Sequence, residues 1–201
     1  MTSVSNFYGE AKVRKTIDAL AAREGLPPVD FMTKEENKKA REEWILRHFA
    51  DSYNRSHLPL IEYVESAEAP DFMVFSCAVD EGQPIEIAEL LEPGRKRDAQ
   101  YKSKITIREN PAPEADYEDR LVTHASKLLS RKLSKAYPRG TWLIVYFNPD
   151  KGIFQDDLLS FAVRVMSRAL EPLAAPAAIS QIWILTNGGD VERIYPKERT
   201  E

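Results

Sequence analysis

The chain is nearly without cysteine: Cys77 is the one thiol in 201 residues. A lone thiol closes no internal disulfide, which excludes the small disulfide-framed scaffolds of secreted proteins. Cys77 sits in the apolar run DFMVFSCAV (71–79) and reads as a buried core thiol in a reducing compartment, so the expected location is the cytoplasm. Long hydrophobic runs are also missing. TWLIVYF (141–147) is far short of the ~20 apolar residues that cross a bilayer, so no membrane partner is expected. The opening MTSVSNFYGEAKVRK has no apolar stretch after its charges, and no secretory signal is read there. No glycine-rich phosphate loop and no nucleophile elbow is present, and His48, His57 and His124 have no metal-ligand spacing with Cys77. Positive charge is not in excess either. A net charge of −4 argues against non-specific coating of nucleic acid while leaving room for a local basic patch.

What is present is an ordinary globular balance, 43% hydrophobic and 30% charged, at a length that suits one domain with a sizeable core. Residues 1–32 read as an N-terminal helical appendage. Val13, Ile17 and Leu20 fall at helical spacing over 7–24, ahead of Gly25 and Pro27-Pro28, and this helix is a candidate to pack across a second copy in a homodimer. A second helix is expected over 33–54, with Thr33 and Glu36 as a capping box and Ile45, Leu46, Phe49 and Tyr53 as its apolar stripe. Three strands follow, at 58–65, 71–79 and 84–91, the last two joined by a tight turn at Asp80-Glu81-Gly82-Gln83. A long charged loop spans 93–114, then a helix at 116–137 with Leu121, Ala125, Leu128, Leu129 and Ala136 on one side. TWLIVYF is apolar throughout and reads as a central strand. A helix at 156–170, a strand at 178–186, a turn at Asn187–Asp190 and a strand at 191–195 complete the chain. The expected class is α/β, a mixed central sheet flanked by helices.

Asp71 opens one strand after Pro70, and Glu86 lies in the next between Ile85 and Ile87. Paired carboxylates on neighbouring strands suit Mg²⁺, which takes few protein ligands and keeps several waters; the alternative is that both face solvent. A turn at 80–83 places Asp71 opposite Glu92 and Glu86 opposite Cys77. The two acids then share a face but stand roughly 20 Å apart, and they meet only if a bulge or wider loop consumes residues of the earlier strand. Without that, Glu89 or Glu92 is the better partner.

Two helical charges fall on core-facing stripes. Glu42 precedes Ile45, Leu46 and Phe49 at helical spacing, and Lys132 comes at about 20° from Leu121, in the middle of the apolar face. Such charges need partners, or else a place at the margin where stem and head separate. Arg95, Lys96, Arg97, Lys102 and Lys104 cluster on the long loop, with Arg131, Lys135 and Arg139 farther on. They read either as solvated loop charge or as a phosphate-binding lip.

The pieces APDFMVF, IEIAEL and LLSRKLSKAYPRGTWLIVY, in the order α-β-β-β-α-β over 33–147, resemble the PD-(D/E)xK nuclease-like superfamily, the restriction-endonuclease-like fold. Residues 148–201, outside that core, add a helix and strands that complete the sheet. The resemblance implies Mg²⁺ or Mn²⁺ held by Asp71 and Glu86; Glu89 stays a further metal candidate from the register. Glu42 matches the acid of the first core helix, and the implied activity is hydrolysis of a phosphodiester in DNA or RNA. The family's lysine, two residues after the strand acid, is replaced here by Ala88; Lys132 is the helix-borne substitute that the resemblance suggests. Two other readings compete: a catalytically inactive nucleic-acid-binding module and a protein-interaction domain of the same fold.

Overall fold

A computed structural model of the chain describes residues 38–57, 60–61, 63–66, 70–76, 79–91, 116–148, 158–174 and 177–196. The elements are α1 (Lys38–Tyr53), β1 (Tyr63–Ser66), β2 (Phe72–Ser76), β3 (Val79–Leu91), α2 (Tyr117–Leu133), β4 (Thr141–Asn148), α3 (Leu158–Leu170), β5 (Ile179–Thr186) and β6 (Val191–Tyr195). The six strands form one sheet in the order β1-β2-β3-β4-β5-β6. β3, β4 and β5 run parallel; β1, β2 and β6 pair antiparallel with their neighbours. Each parallel step needs a crossover, and α2 and α3 supply them, so the expected α/β class with a mixed sheet holds.

Helices cover both faces of that sheet. On one, Ile45, Leu46, Phe49 and Tyr53 of α1, joined by Trp44, pack on Phe72, Val74, Ile85, Ile87, Ile144, Tyr146, Trp183 and Leu185. On the other, Leu121, Ala125 and Leu129 of α2 and Ala162, Val165 and Met166 of α3 pack on Ala88, Leu90, Leu143, Val145, Phe147, Ile182 and Ile184. β4 contributes alternate residues to both layers, which is why TWLIVYF carries no polar side and why its central position was legible. Full burial of a side chain such as Leu46, Phe49 or Leu129 is worth about 1.5–3 kcal/mol each.

Two expected boundaries move. α2 stops at Leu133, not 137: Ser134 N–H donates to Ser130 O and Lys135 N–H to Lys132 O, a tightened last turn, and Pro138 cannot continue a helix. Ala136 therefore lies beyond the helix, exposed. The Asp80–Gln83 segment is not a turn but part of β3, whose pairing with β2 runs Phe72↔Ile85, Met73↔Pro84, Val74↔Gln83 and then, after a shift, Ser76↔Val79. Gly82, read as a turn signal, serves close approach instead: a Cβ there would meet Phe75 Cε1 at 2.6 Å and the Met73 side chain at 2.9 Å. Gln83, in place of closing a turn, sends its side-chain amide to Gly140 O at 2.6 Å. The expected turn after β5 is there, with Gly189 at φ +86°, its N–H on Thr186 O and the Thr186 N–H on Asp190 O.

The capping box at Thr33 and Glu36, the helix at 7–24, Cys77, Glu92 and the basic loop residues Arg95, Lys96, Arg97, Lys102 and Lys104 lie outside the described residues. Among those described, no helix is long and apolar enough to cross a membrane.

Candidate functional site

The shifted hairpin brings Asp71 and Glu86 together. Phe72 pairs with Ile85, and the next step of the same register sets Asp71 opposite Glu86. The separation of roughly 20 Å implied by a turn at 80–83 is thus corrected, because β2 ends at Ser76 and β3 begins at Val79. Asp71 lies just ahead of β2, where the backbone ladder has run out of acceptors for β3. Its Oδ2 takes the place of one and accepts the Ile87 N–H at 2.9 Å. From α1, Lys39 Nζ donates to the Asp71 carbonyl and stands 4.3 Å over the Phe72 ring.

Glu86 points to the α2 face and is only 4% exposed. Lys132 reaches down from α2 and donates to Glu86 Oε1 at 2.5 Å and to Ile87 O at 2.6 Å, while Lys135 Nζ stands 3.7 Å from the same Oε1. The ammonium therefore comes to rest on the strand immediately ahead of Ala88, a small residue buried beneath α2. Burial works to raise the Glu86 carboxyl, but Lys132, the Tyr137 hydroxyl and Lys135 outweigh it and hold the group below its ordinary range. Such a buried ion pair is charge-assisted and geometrically tight, and the desolvation of both ions makes it costly to break from one side.

Glu42 enters from α1. Its side chain is 12% exposed and has Lys38 at 3.6 Å. Burial and then the negative charge of Asp71 raise its carboxyl; Lys38, Lys132 and Lys39 pull the other way. Glu42 thus feels the charges of Asp71 and Lys132, and Lys132 in turn holds Glu86, though the four come from four separate stretches of chain. Tyr137, on the turn after α2, adds a phenol pushed above its ordinary range by burial and then by Glu86, with Asp71 contributing.

Glu89 lies on the other face of β3 from Glu86. It follows Ile85 and Ile87 on the α1 side. His48 and His57 belong to the aromatic layer, stacked on Trp44 and Tyr53, and His124 is exposed on α2. Sequence reasoning passed over Lys39 and Tyr137 and placed Lys135 only in a general basic group. Two of them carried a signal: Lys39 precedes Glu42 by one helical turn, as Lys132 precedes Lys135.

No group of three or more His, Cys, Asp or Glu side chains among the described residues is close enough to hold a metal ion as a cage. Asp71 uses one carboxylate oxygen on Ile87, and Glu42 has Lys38 at 3.6 Å. One or two carboxylates plus water are what Mg²⁺ accepts. Comparison with protein-family models, with curated proteins and with solved structures gives no match.

Proposed function

We propose that this protein is a PD-(D/E)xK nuclease-like hydrolase that cleaves a phosphodiester of nucleic acid with Mg²⁺ or Mn²⁺, and that its lysine comes from a helix instead of from the strand motif. The observation that carries this reading is Asp71 Oδ2 on the Ile87 N–H, next to Glu86, with the Lys132 ammonium on Glu86 Oε1 and Ile87 O. The element order α-β-β-β-α-β supports it.

Asp71 and Glu86 would hold the ion, and Glu42 would add negative charge to the same place. The ion, when bound, lowers the pKa of a water and neutralises charge developing on phosphate. Lys132 has the position to bind an anionic oxygen once it shares its proton donors beyond Glu86, because an ammonium carries three donors and two are committed here. Lys135, half exposed, reaches the same oxygen of Glu86 from the solvent side and is placed to meet an incoming phosphate. Ala88 and Leu90 and the α2 helix above them exclude water from beneath the pair.

A second reading has its own observation: Lys132 already neutralises Glu86 internally, and Ala88 stands at the motif's lysine position. That reading is a nucleic-acid-binding module without chemistry. It expects salt-dependent binding, lost on charge reversal at Arg95, Lys96 and Arg97, and no cleavage. The deciding experiment incubates labelled single- and double-stranded DNA and RNA with the full chain and Mg²⁺ or Mn²⁺. The hydrolase reading expects cleavage that disappears in both Asp71→Asn and Glu86→Gln; cleavage that survives both substitutions defeats it. Asparagine is chosen because its amide oxygen still accepts the Ile87 N–H while the charge is gone.

A further inference from the structure

Residues 120–149 contain no Asp or Glu, in a chain where 32 of 201 residues are acidic and the net charge is −4. The same stretch holds Arg120, Lys127, Arg131, Lys132, Lys135 and Arg139, so positive charge is gathered on α2 and the connection after it. Elsewhere the helices mix signs. Lys38 meets Glu42 and Arg47 meets Glu43 on α1, and Arg164 and Arg168 of α3 meet Glu118 at the start of α2. A merely solvated helix face is commonly laced with such opposite pairs.

At 3.6 residues per turn, Arg120, His124, Lys127 and Arg131 fall within about 60° of one another, as one stripe along α2. Ser126, whose hydroxyl donates to Ala169 O of α3, lies about 130° round the helix from the middle of that stripe. The stripe therefore occupies the flank turned away from α3, with His124, Lys127 and Arg131 exposed. Arg120 is tied to Asp116 at 3.5 Å, but Lys127 and Arg131 have no ion-pair partner among the described residues. Like charges one turn apart weaken a helix. The helix dipole favours Arg131 and Lys132 in the last turn, yet it accounts neither for Lys127 nor for Arg139 past the end. The stripe leads to the Glu86 pair: Lys135, four residues beyond Arg131, is half exposed and stands 3.7 Å from Glu86 Oε1, beside Lys132.

We propose that this stripe is a track for the phosphate backbone of one nucleic-acid strand, with Lys127 and Arg131 on phosphates and Lys135 where the strand reaches the site. Neighbouring cations are three or four residues apart, roughly 4.5–6 Å along the helix. Phosphates advance about 3.4 Å per nucleotide along one strand of a duplex, so the stripe offers a cation to about every second one. The partner class follows from what the face lacks. An anionic membrane or an acidic protein is held by apolar anchors as well as by charge. Between its cations this face carries Thr123, Ser130 and Ser134, and the exposed large hydrophobic among the described residues is Leu60, ahead of β1. Cations interleaved with hydroxyls are the groups that contact phosphates. The track deepens the hydrolase reading and rests on it for what the strand is delivered to; the binding itself needs no cleavage.

The test measures binding without divalent metal, by fluorescence anisotropy of labelled single-stranded and duplex DNA and RNA with the full chain over a series of salt concentrations. Lys127→Gln combined with Arg131→Gln is compared with Arg164→Gln combined with Arg168→Gln, which removes the same two charges from α3. Glutamine is a good helix former and all four sites are exposed, so both variants fold, as circular dichroism checks. The proposal expects wild-type binding that weakens with salt. It expects affinity at least about tenfold lower in the α2 variant, with a log–log salt slope shallower by about two, and little change in the α3 variant. Absence of wild-type binding at low salt overturns it, as does an equal loss in both variants. Wild-type binding to phosphatidylserine vesicles or to polyglutamate, but to no nucleic acid, also overturns it. If the wild type cleaves with Mg²⁺ and the α2 variant binds as the wild type does, the track falls and the hydrolase reading stands. If binding is lost in the α2 variant alone and the wild type does not cleave, the track is upheld and the hydrolase reading falls.

Discussion

The two faces of the sheet are built on different principles. The α1 face is aromatic: Trp44, Phe49, Tyr53, Phe72, Tyr146 and Trp183 interlock, with edge contacts such as Phe49 to Trp183 at 5.8 Å and Tyr53 to Trp183 at 5.3 Å. Rings in such geometry gain about 0.5–1.5 kcal/mol per pair beyond their buried area. The α2–α3 face is mostly aliphatic and built from small residues, with Ala88, Ala125, Ala162 and Ala169 fully or nearly fully buried. On this second face a charged pair penetrates, Lys132 on Glu86. Small side chains let a helix come close enough for a lysine to reach the strand, and a tight aromatic layer would not. Aromatic packing dominates one side, while the other gives up some apolar contact to hold an ion pair.

The contrast breaks most sharply if one ion is removed. Glu86→Ala leaves the Lys132 ammonium buried without its carboxylate and is expected to cost about 3–5 kcal/mol, read by urea unfolding, as well as all metal-dependent cleavage. Phe49→Ala, on the aromatic face, is expected to cost a similar ~3–5 kcal/mol yet leave the rate per folded molecule unchanged. Equal destabilisation with opposite functional outcomes is the signature of the division between faces. Replacing both ions, Glu86→Leu with Lys132→Leu, is expected to restore most of the stability lost in Glu86→Ala and none of the activity.

Smaller effects come from pH. Glu86 titrates below its ordinary value of 4.5 in the fold, so its contribution is present above pH 4.5 and is lost as pH falls through the lower folded value. Glu42 has the opposite sign. Its carboxyl is raised by burial and by Asp71, so it favours the fold below 4.5 and loses that favour as pH rises through the folded value. Glu42→Gln is therefore expected to raise Tm at pH 7 by about 2 °C, an advantage that shrinks to nothing in acid, followed by calorimetry at several pH values. Least of all, Arg168→Ala removes exposed contacts to Glu118 and Asp119 between α3 and α2 and is expected to leave Tm within about 1 °C of wild type.

Much of this was legible in the residues. The stripe Ile45, Leu46, Phe49 and Tyr53 marked the buried face of α1, and the unbroken apolar run of β4 marked a strand covered on both sides. Lys132 was legible as a cation on an apolar face that would need a partner. What could not be read was the register. Gly82 next to Asp80 and Gln83 has the composition of a turn, and only the ring of Phe75 lying over it shows that the missing Cβ serves packing. That one misreading separated Asp71 from Glu86. Tyr137 was invisible for a related reason: an aromatic residue near a helix end says nothing of what its hydroxyl will face.

The most direct measurement compares Mn²⁺-dependent cleavage of labelled DNA and RNA by the wild type and Lys132→Met, with Mn²⁺ binding and folding followed in both. If the helix-borne lysine completes the site, Lys132→Met folds, still binds Mn²⁺ and loses about 100-fold or more in cleavage rate. Cleavage by a folded Lys132→Met at the wild-type rate would contradict the account.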